Sequence, residues 1–237
     1  MNAVIKNIHE RRSVRKFSAE PIPKEDWEII LDAARVAPSG NNLQPWFFLV
    51  VSNKELLDRM AKAVMDKVDL ICSKIEEGSA RKFKKYSTYY TFFNQAPAVI
   101  VVLRTKNNYD LSKLGISEEV MHELGFSGDE RGREGYPDIQ SVAASIQNIL
   151  LAAASLGYGT CWMTGPLLAR KELAEMLDLE GIRKEEQAKQ AAPETLDMPW
   201  EIMALVPVGR PKAAANPESK PSPKARRQLD EIVRYVG

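Results

Sequence analysis

Apolar positions change period along the chain, and each change marks an element. Val4, Ile5 and Ile8 share one face of a short helix that runs into the basic cluster Arg11, Arg12, Arg15 and Lys16. After Pro21 and Pro23, the residues Trp27, Ile30, Leu31 and Ala34 recur at helical spacing up to Pro38, which predicts a second helix. Trp46 to Val51 is an aromatic and β-branched run bounded by turn residues. It predicts a buried strand, and Ser52 to Glu55 after it reads as a capping box that opens a third helix. Lys74 to Tyr90 mixes charges and aromatics without a clean period. Ala98 to Leu103 is a second apolar strand, and Asn107 to Pro137, polar and glycine-rich, reads as a loop or lid.

From Asp138 to Leu156 one stripe carries Ile139, Val142, Ala143, Ile146, Ile149, Leu150 and Ala153, and Gly157 stops it; this is the expected central helix. Tyr158 to Met163 and Ile202 to Val208 read as two further strands with a helix from about Ala169 to Leu177 between them. Lys212 to Lys224 is mostly proline, alanine and charge and is expected to run extended over a surface, before a short final helix, Ala225 to Tyr235. The order predicts one α+β domain over residues 1–237, a mostly antiparallel or mixed sheet surrounded by helices.

Composition narrows the partners. The 237 residues are 44% apolar, enough for one sizeable core, and 33 basic residues balance 32 acidic ones. Bulk charge therefore gives no reason to expect nucleic acid or a membrane surface, and an anion site must be local. The two cysteines, Cys72 and Cys161, form neither a disulfide framework nor a thiolate cluster, and the two histidines, His9 and His122, have no ligand-spaced companions, so no metal is expected. The amino terminus carries charges and no long apolar run, which points to the cytoplasm.

Three segments carry candidate chemistry. Arg11, Arg12, Ser13 and Arg15 bring guanidinium forks and a hydroxyl within reach of one dianionic group, although a solvated basic turn has the same composition. Pro38, Ser39, Gly40, Asn41, Asn42, Leu43, Gln44, Pro45 and Trp46 form a loop of hydroxyl and amide groups. It could serve a heterocycle with mixed hydrogen-bonding edges, or only satisfy its own backbone. Gly157 to Pro166 holds half of a dinucleotide fingerprint, but Trp162 stands where the third glycine belongs and a helix precedes it, which argues against a Rossmann site. Read as a strand, it ends with backbone N–H groups beside a sulfur and an indole, a fair wall for a flavin. A nucleophilic role for Cys161 with His9 or His122 lacks the usual context, and a buried structural cysteine is the simpler reading.

Together these segments resemble the FMN-dependent nitroreductase family. The Arg11 to Arg15 run is similar to its flavin-phosphate and ribityl motif, Pro38 to Trp46 to its proline-serine loop, and Gly157 to Pro166 to its strand beneath the isoalloxazine. Val208 to Pro211, followed by Pro223 to Glu231, resembles its closing segment. The resemblance implies that Arg11, Arg12, Ser13, Arg15 and Arg226, with Lys224, hold the phosphate and ribityl chain. It implies that Pro38, Ser39, Gly40 and Asn42 serve the flavin site across a homodimer interface, with residues 212–237 extending over the partner subunit. Trp162, Met163, Thr164 and Gly165 would line the ring, with a backbone N–H near flavin N5, and Asn41 would face the substrate. No side chain would act as a nucleophile, because FMN carries the chemistry. NADH or NADPH would supply electrons, and a nitroaromatic, quinone or enone would receive them in a ping-pong cycle. The segment lacks the acidic residue before glycine of the best-known nitro-compound reductases, and Trp162-Met163-Thr164 looks closer to the branch of dehalogenases and flavin-consuming enzymes. Reductive dehalogenation or flavin consumption is therefore the alternative activity, and flavin binding without turnover is the non-enzymatic one.

Overall fold

β-branched and aromatic side chains alternate between two apolar layers along the strands, and this alternation fixes the sheet. The computed structural model describes residues 1–105, 115, 117–123, 136–189, 199–212 and 226–236. Four strands, β1 (Trp46–Val51), β2 (Ala98–Thr105), β3 (Gly159–Thr160) and β4 (Trp200–Gly209), lie in the order β1-β2-β4-β3, and every neighbouring pair is antiparallel. β2 is buried along its whole length, as its continuous apolar run requires.

The helices are α1 (Ala3–Glu10), α2 (Lys24–Arg35), α3 (Lys54–Cys72), α4 (Glu77–Ser87), α5 (Glu118–Glu123), α6 (Pro137–Ser155), α7 (Arg170–Met176) and α8 (Leu179–Ala188). On one face of the sheet, Val99, Val101, Leu103 and Leu205 pack with Leu57, Met60 and Val64 of α3 and with Phe93. On the other, Ile100, Val102, Ala204 and Val206 pack with Ile30 and Ala34 of α2 and with Ile146 and Ile149 of α6. Small residues let α2 lie close along α6, where the Asn148 side-chain amide donates to the Ala33 carbonyl at 2.8 Å.

Several boundaries differ from the expected ones. Asn53, not Ser52, caps α3, because its carboxamide oxygen accepts the Leu56 N–H at 2.9 Å. The aperiodic Lys74 to Tyr90 stretch contains α4, capped by Glu76, which accepts from the Gly78 and Ser79 N–H groups. α5 lies inside the expected 107–137 loop; most of that loop, like residues 213–225 of the expected surface segment, is outside the described residues. The expected strand at Tyr158 pairs continuously only over Gly159–Thr160, with an isolated bridge from Met163 to Leu205. α8 was not anticipated.

The expected final helix is absent over the described residues 226–236, which hold only a 3-10 turn at Leu229–Glu231. Leu229, Ile232, Val233, Tyr235 and Val236 are all exposed there, and a helix this short needs a surface on which to bury its apolar face. Among the described residues, no helix is long and apolar enough to cross a membrane.

Candidate active site

Two of the three segments meet at the β3 end of the sheet. Gly157 stops α6 with φ at +81°, and the chain enters β3. The Arg11 to Lys16 run then lies along β3: the Val14 N–H donates to the Thr160 carbonyl at 2.9 Å, and Ser13 bridges Thr160 in parallel. Gly159 makes this approach possible, because a Cβ there would come within 2.5 Å of the Val14 side chain. Met163 is held to β4 by reciprocal 3.0 Å hydrogen bonds with Leu205.

The result is a cavity of about 860 Å³. That is within the roughly 300–1,000 Å³ of small-molecule and cofactor sites. Its lining joins Arg15 and Phe92 to Cys161, Trp162, Met163, Thr164 and Gly165, with Tyr86, Tyr89 and Tyr90 at the end of α4. The Arg15 guanidinium lies 5.9 Å from the centroid of Phe92. Neither Arg11 nor Arg15 has an acidic partner among the described residues, although most other described helix cations are paired within one turn. The Arg12 guanidinium turns back instead, onto the carbonyls of His9 and Arg11.

Cys161 is buried, yet it forms part of the cavity wall. Burial pushes its thiol pKa up, and this outweighs the opposing pull of Arg15, of the Ser13 hydroxyl and of Arg11. The thiol is therefore poorly suited to be a nucleophile at neutral pH. Of the two histidines, His9 is exposed on α1 and His122 lies on α5; neither lines the cavity.

The Pro38 to Trp46 loop does not contribute to the cavity lining. It enters β1, the strand at the edge of the sheet opposite β3. Asn41, Asn42 and Gln44 have φ of 49°, 56° and 47°, left-handed values that cost non-glycine residues about 1–3 kcal/mol each unless the surroundings impose them. Ser39 imposes part of this by accepting the Gln44 N–H at 3.0 Å. The Ser141 hydroxyl of α6 accepts the Gly40 N–H at 3.3 Å and donates to the Pro137 carbonyl at 2.6 Å. Asn41 and Asn42 remain exposed, a preformed edge of amide groups. Arg226 is also exposed and outside the cavity, and Lys224 lies outside the described residues.

Sequence reasoning missed Phe92 and the tyrosines of the lining. Their one signal was the density of aromatics between Phe83 and Phe93, which had no periodicity to assign it to a face.

The sequence profile of the nitroreductase family matches residues 8–210. The chain belongs to the nitroreductase family. The Archaeoglobus fulgidus protein named "Putative NADH dehydrogenase/NAD(P)H nitroreductase" is 28% identical over 218 residues, 90% of this chain and 87% of that protein. Iodotyrosine deiodinase 1 of Rattus norvegicus is 23% identical over 230 residues, 95% of this chain and 67% of that protein. Among solved structures, a BluB-like flavoprotein from Clostridium difficile 630 is similar with a TM-score of 0.74 and 26% identity, covering 100% of both chains. A nitroreductase with bound FMN from Desulfitobacterium hafniense DCB-2 is similar with a TM-score of 0.62 and 25% identity, again over 100% of both. These nitroreductase-family neighbours share the α+β fold described above.

Proposed function

We propose that this chain is an FMN-dependent oxidoreductase that moves electrons from NADH or NADPH to a small electron-poor organic acceptor, a nitroaromatic, quinone or enone. The donor and the acceptor take turns in one cavity. The observation that carries this reading is that Arg15, which has no acidic partner among the described residues, lines one cavity with an aromatic and sulfur-bearing wall, while Ser13 and Arg11 of the same basic run act on Cys161 of that wall. That pairing suits a planar heterocycle with an anionic tail, and the family membership and the FMN-bound neighbour support it. Bound FMN would supply hydride-accepting and hydride-donating chemistry that the side chains lack.

The residues have distinct tasks. Arg11, Ser13 and Arg15 hold the phosphate end by charge-assisted hydrogen bonds. Trp162, Met163, Thr164 and Gly165 present backbone donors, the Trp162 indole and the Met163 thioether to the ring, and the low polarity of the wall keeps water from competing. The half-buried Ser39 and Gly40, the exposed Asn41 and Asn42, and Arg226, none of which lines the cavity of its own chain, serve the site of a second copy in a homodimer.

Oxidation of NADH or NADPH by the FMN-loaded protein, followed against menadione and nitrofurazone, tests the reading. Parallel double-reciprocal lines are expected, and no oxidation with any acceptor refutes turnover. Arg15→Ala is expected to weaken FMN binding at least tenfold with little change in folding, since a charge-assisted bond contributes about 1.5–3 kcal/mol. Unchanged binding would remove Arg15 from the site.

A second reading is favoured by the likeness to a deiodinase: reductive dehalogenation, in which two electrons and a proton replace a carbon–halogen bond with carbon–hydrogen and release halide. Halide release from iodophenols separates it from the first.

A further inference from the structure

Phe92 lines the cavity, and the Arg15 guanidinium lies 5.9 Å from the centroid of its ring. Both sides of that contact are anchored. Phe92 opens the 3-10 turn Phe92–Gln95 that leads towards β2, and the next residue, Phe93, is fully buried in the core. The turn is tied to α3, because the Asn94 side-chain amide donates to Asp58 at 2.8 Å, and the Asn94 N–H closes it by donating to the Thr91 carbonyl at 3.1 Å. Across the contact, the backbone on either side of Arg15 is held as well: Val14 donates to Thr160 of β3, and the Lys16 carbonyl accepts the Lys212 N–H at 3.0 Å. Between these anchors only the long Arg15 side chain has freedom to lose. Its guanidinium meets no acid among the described residues, and it reaches the Ser13 carbonyl at 3.5 Å, the long limit of a hydrogen bond.

We propose that Phe92 is a positioning residue for the cofactor site: its ring holds the Arg15 guanidinium in place and leaves the hydrogen-bond donors of that group free for the anionic end of the ligand. The proposal rests on the reading of Arg15 as an FMN ligand given above. A carboxylate would hold the same cation by occupying its N–H fork and would cancel its charge. A ring face attracts the cation through the quadrupole and requires none of those N–H groups. An arginine already confined loses less rotamer freedom when it grips an anion, so the ring contributes to affinity through Arg15. At a partly exposed site such a contact moves an equilibrium by about 2- to 5-fold.

The test is a double-mutant cycle on FMN binding, read by quenching of flavin fluorescence in the native chain, Phe92→Leu, Phe92→Tyr, Arg15→Ala and Phe92→Leu/Arg15→Ala. Leucine keeps an apolar side chain in the core and removes the ring, whereas tyrosine keeps the ring. Phe92→Leu is expected to weaken FMN binding by about 2- to 5-fold, Phe92→Tyr to bind as the native chain does, and Phe92→Leu to have no further effect once Arg15 is alanine. A wall residue that acts independently of Arg15 loses the same factor in both backgrounds. That result, or no loss in the native background, overturns the proposal and leaves the oxidoreductase reading standing. FMN binding that is unaltered by Arg15→Ala, or absent from the native chain, sinks the reading of Arg15 instead. The same cycle on urea unfolding of the flavin-free chain then decides whether the ring holds the guanidinium: a coupling of about 2- to 5-fold in the unfolding constant is expected, and additive effects overturn it.

Discussion

Gly165→Ala is the sharpest test of how the cavity floor is built. Gly165 has an ordinary backbone conformation, so alanine carries no φ penalty and its effect is steric. An added Cβ would lie 2.2 Å, 2.6 Å and 2.7 Å from three atoms of the Tyr90 ring. Against the roughly 3.5 Å at which carbon atoms attract best, the closest approach is short by about 1.3 Å. The ring cannot swing away freely, because Phe83 and Tyr86 flank it. Overpacking of this kind costs about 1–3 kcal/mol, which at a urea m value near 3 kcal/mol/M lowers the midpoint by about 0.3–1 M. In a Tyr90→Ala background every clashing atom is gone, and the same alanine is expected to cost under about 0.5 kcal/mol. The double-mutant cycle therefore yields a coupling of about 0.5–3 kcal/mol. Equal cost in both backgrounds would refute the contact.

Further outcomes follow from the core and the thiol. Leu205→Ala, at a fully buried position that also holds Met163, is expected to cost about 2–5 kcal/mol by chemical unfolding; a loss under 1 kcal/mol would contradict that packing. Arg104 donates to Asp138 at 3.1 Å and also pairs with Glu201, tying the end of β2 to the first turn of α6. Arg104→Met is expected to cost about 3–5 kcal/mol, and a neutral result would mean that the charges are hydrated. The raised Cys161 thiol predicts iodoacetamide labelling at this site only above the pH usual for a free thiol, slower still in Arg15→Ala, read by mass spectrometry. Because the folded pKa lies above the unfolded one, this thiol favours folding below the unfolded value, and that contribution is lost as pH rises through the folded value. Rapid labelling at neutral pH would contradict the burial.

Much of the fold was legible because it rests on period. β1 and the Gly157 stop fall where the residues place them, and β2 and α6 lie within two residues of expectation, since continuous apolar runs and a long stripe leave little choice. β3 was over-read, because Cys161 and Trp162 look like strand residues but turn to line a cavity. The tail was over-read in the same way: Leu229, Ile232 and Val233 have helical spacing but stay exposed among the described residues. In the site, the basic run and the Trp162 segment could be named from their chemistry, yet their contact depends on Gly159, whose importance is its missing side chain. The tyrosine wall was illegible because its rings face an opening, and pattern reading detects burial.

The most direct measurement is the visible absorbance of the purified protein with added FMN, recorded without oxygen before and after NADH or NADPH. Retained flavin bands that bleach with the nicotinamide, and return when menadione is added, are the predicted result. A protein that takes up no FMN, leaving a colourless cavity, would contradict the account of Arg11, Arg15 and the Trp162 to Gly165 wall.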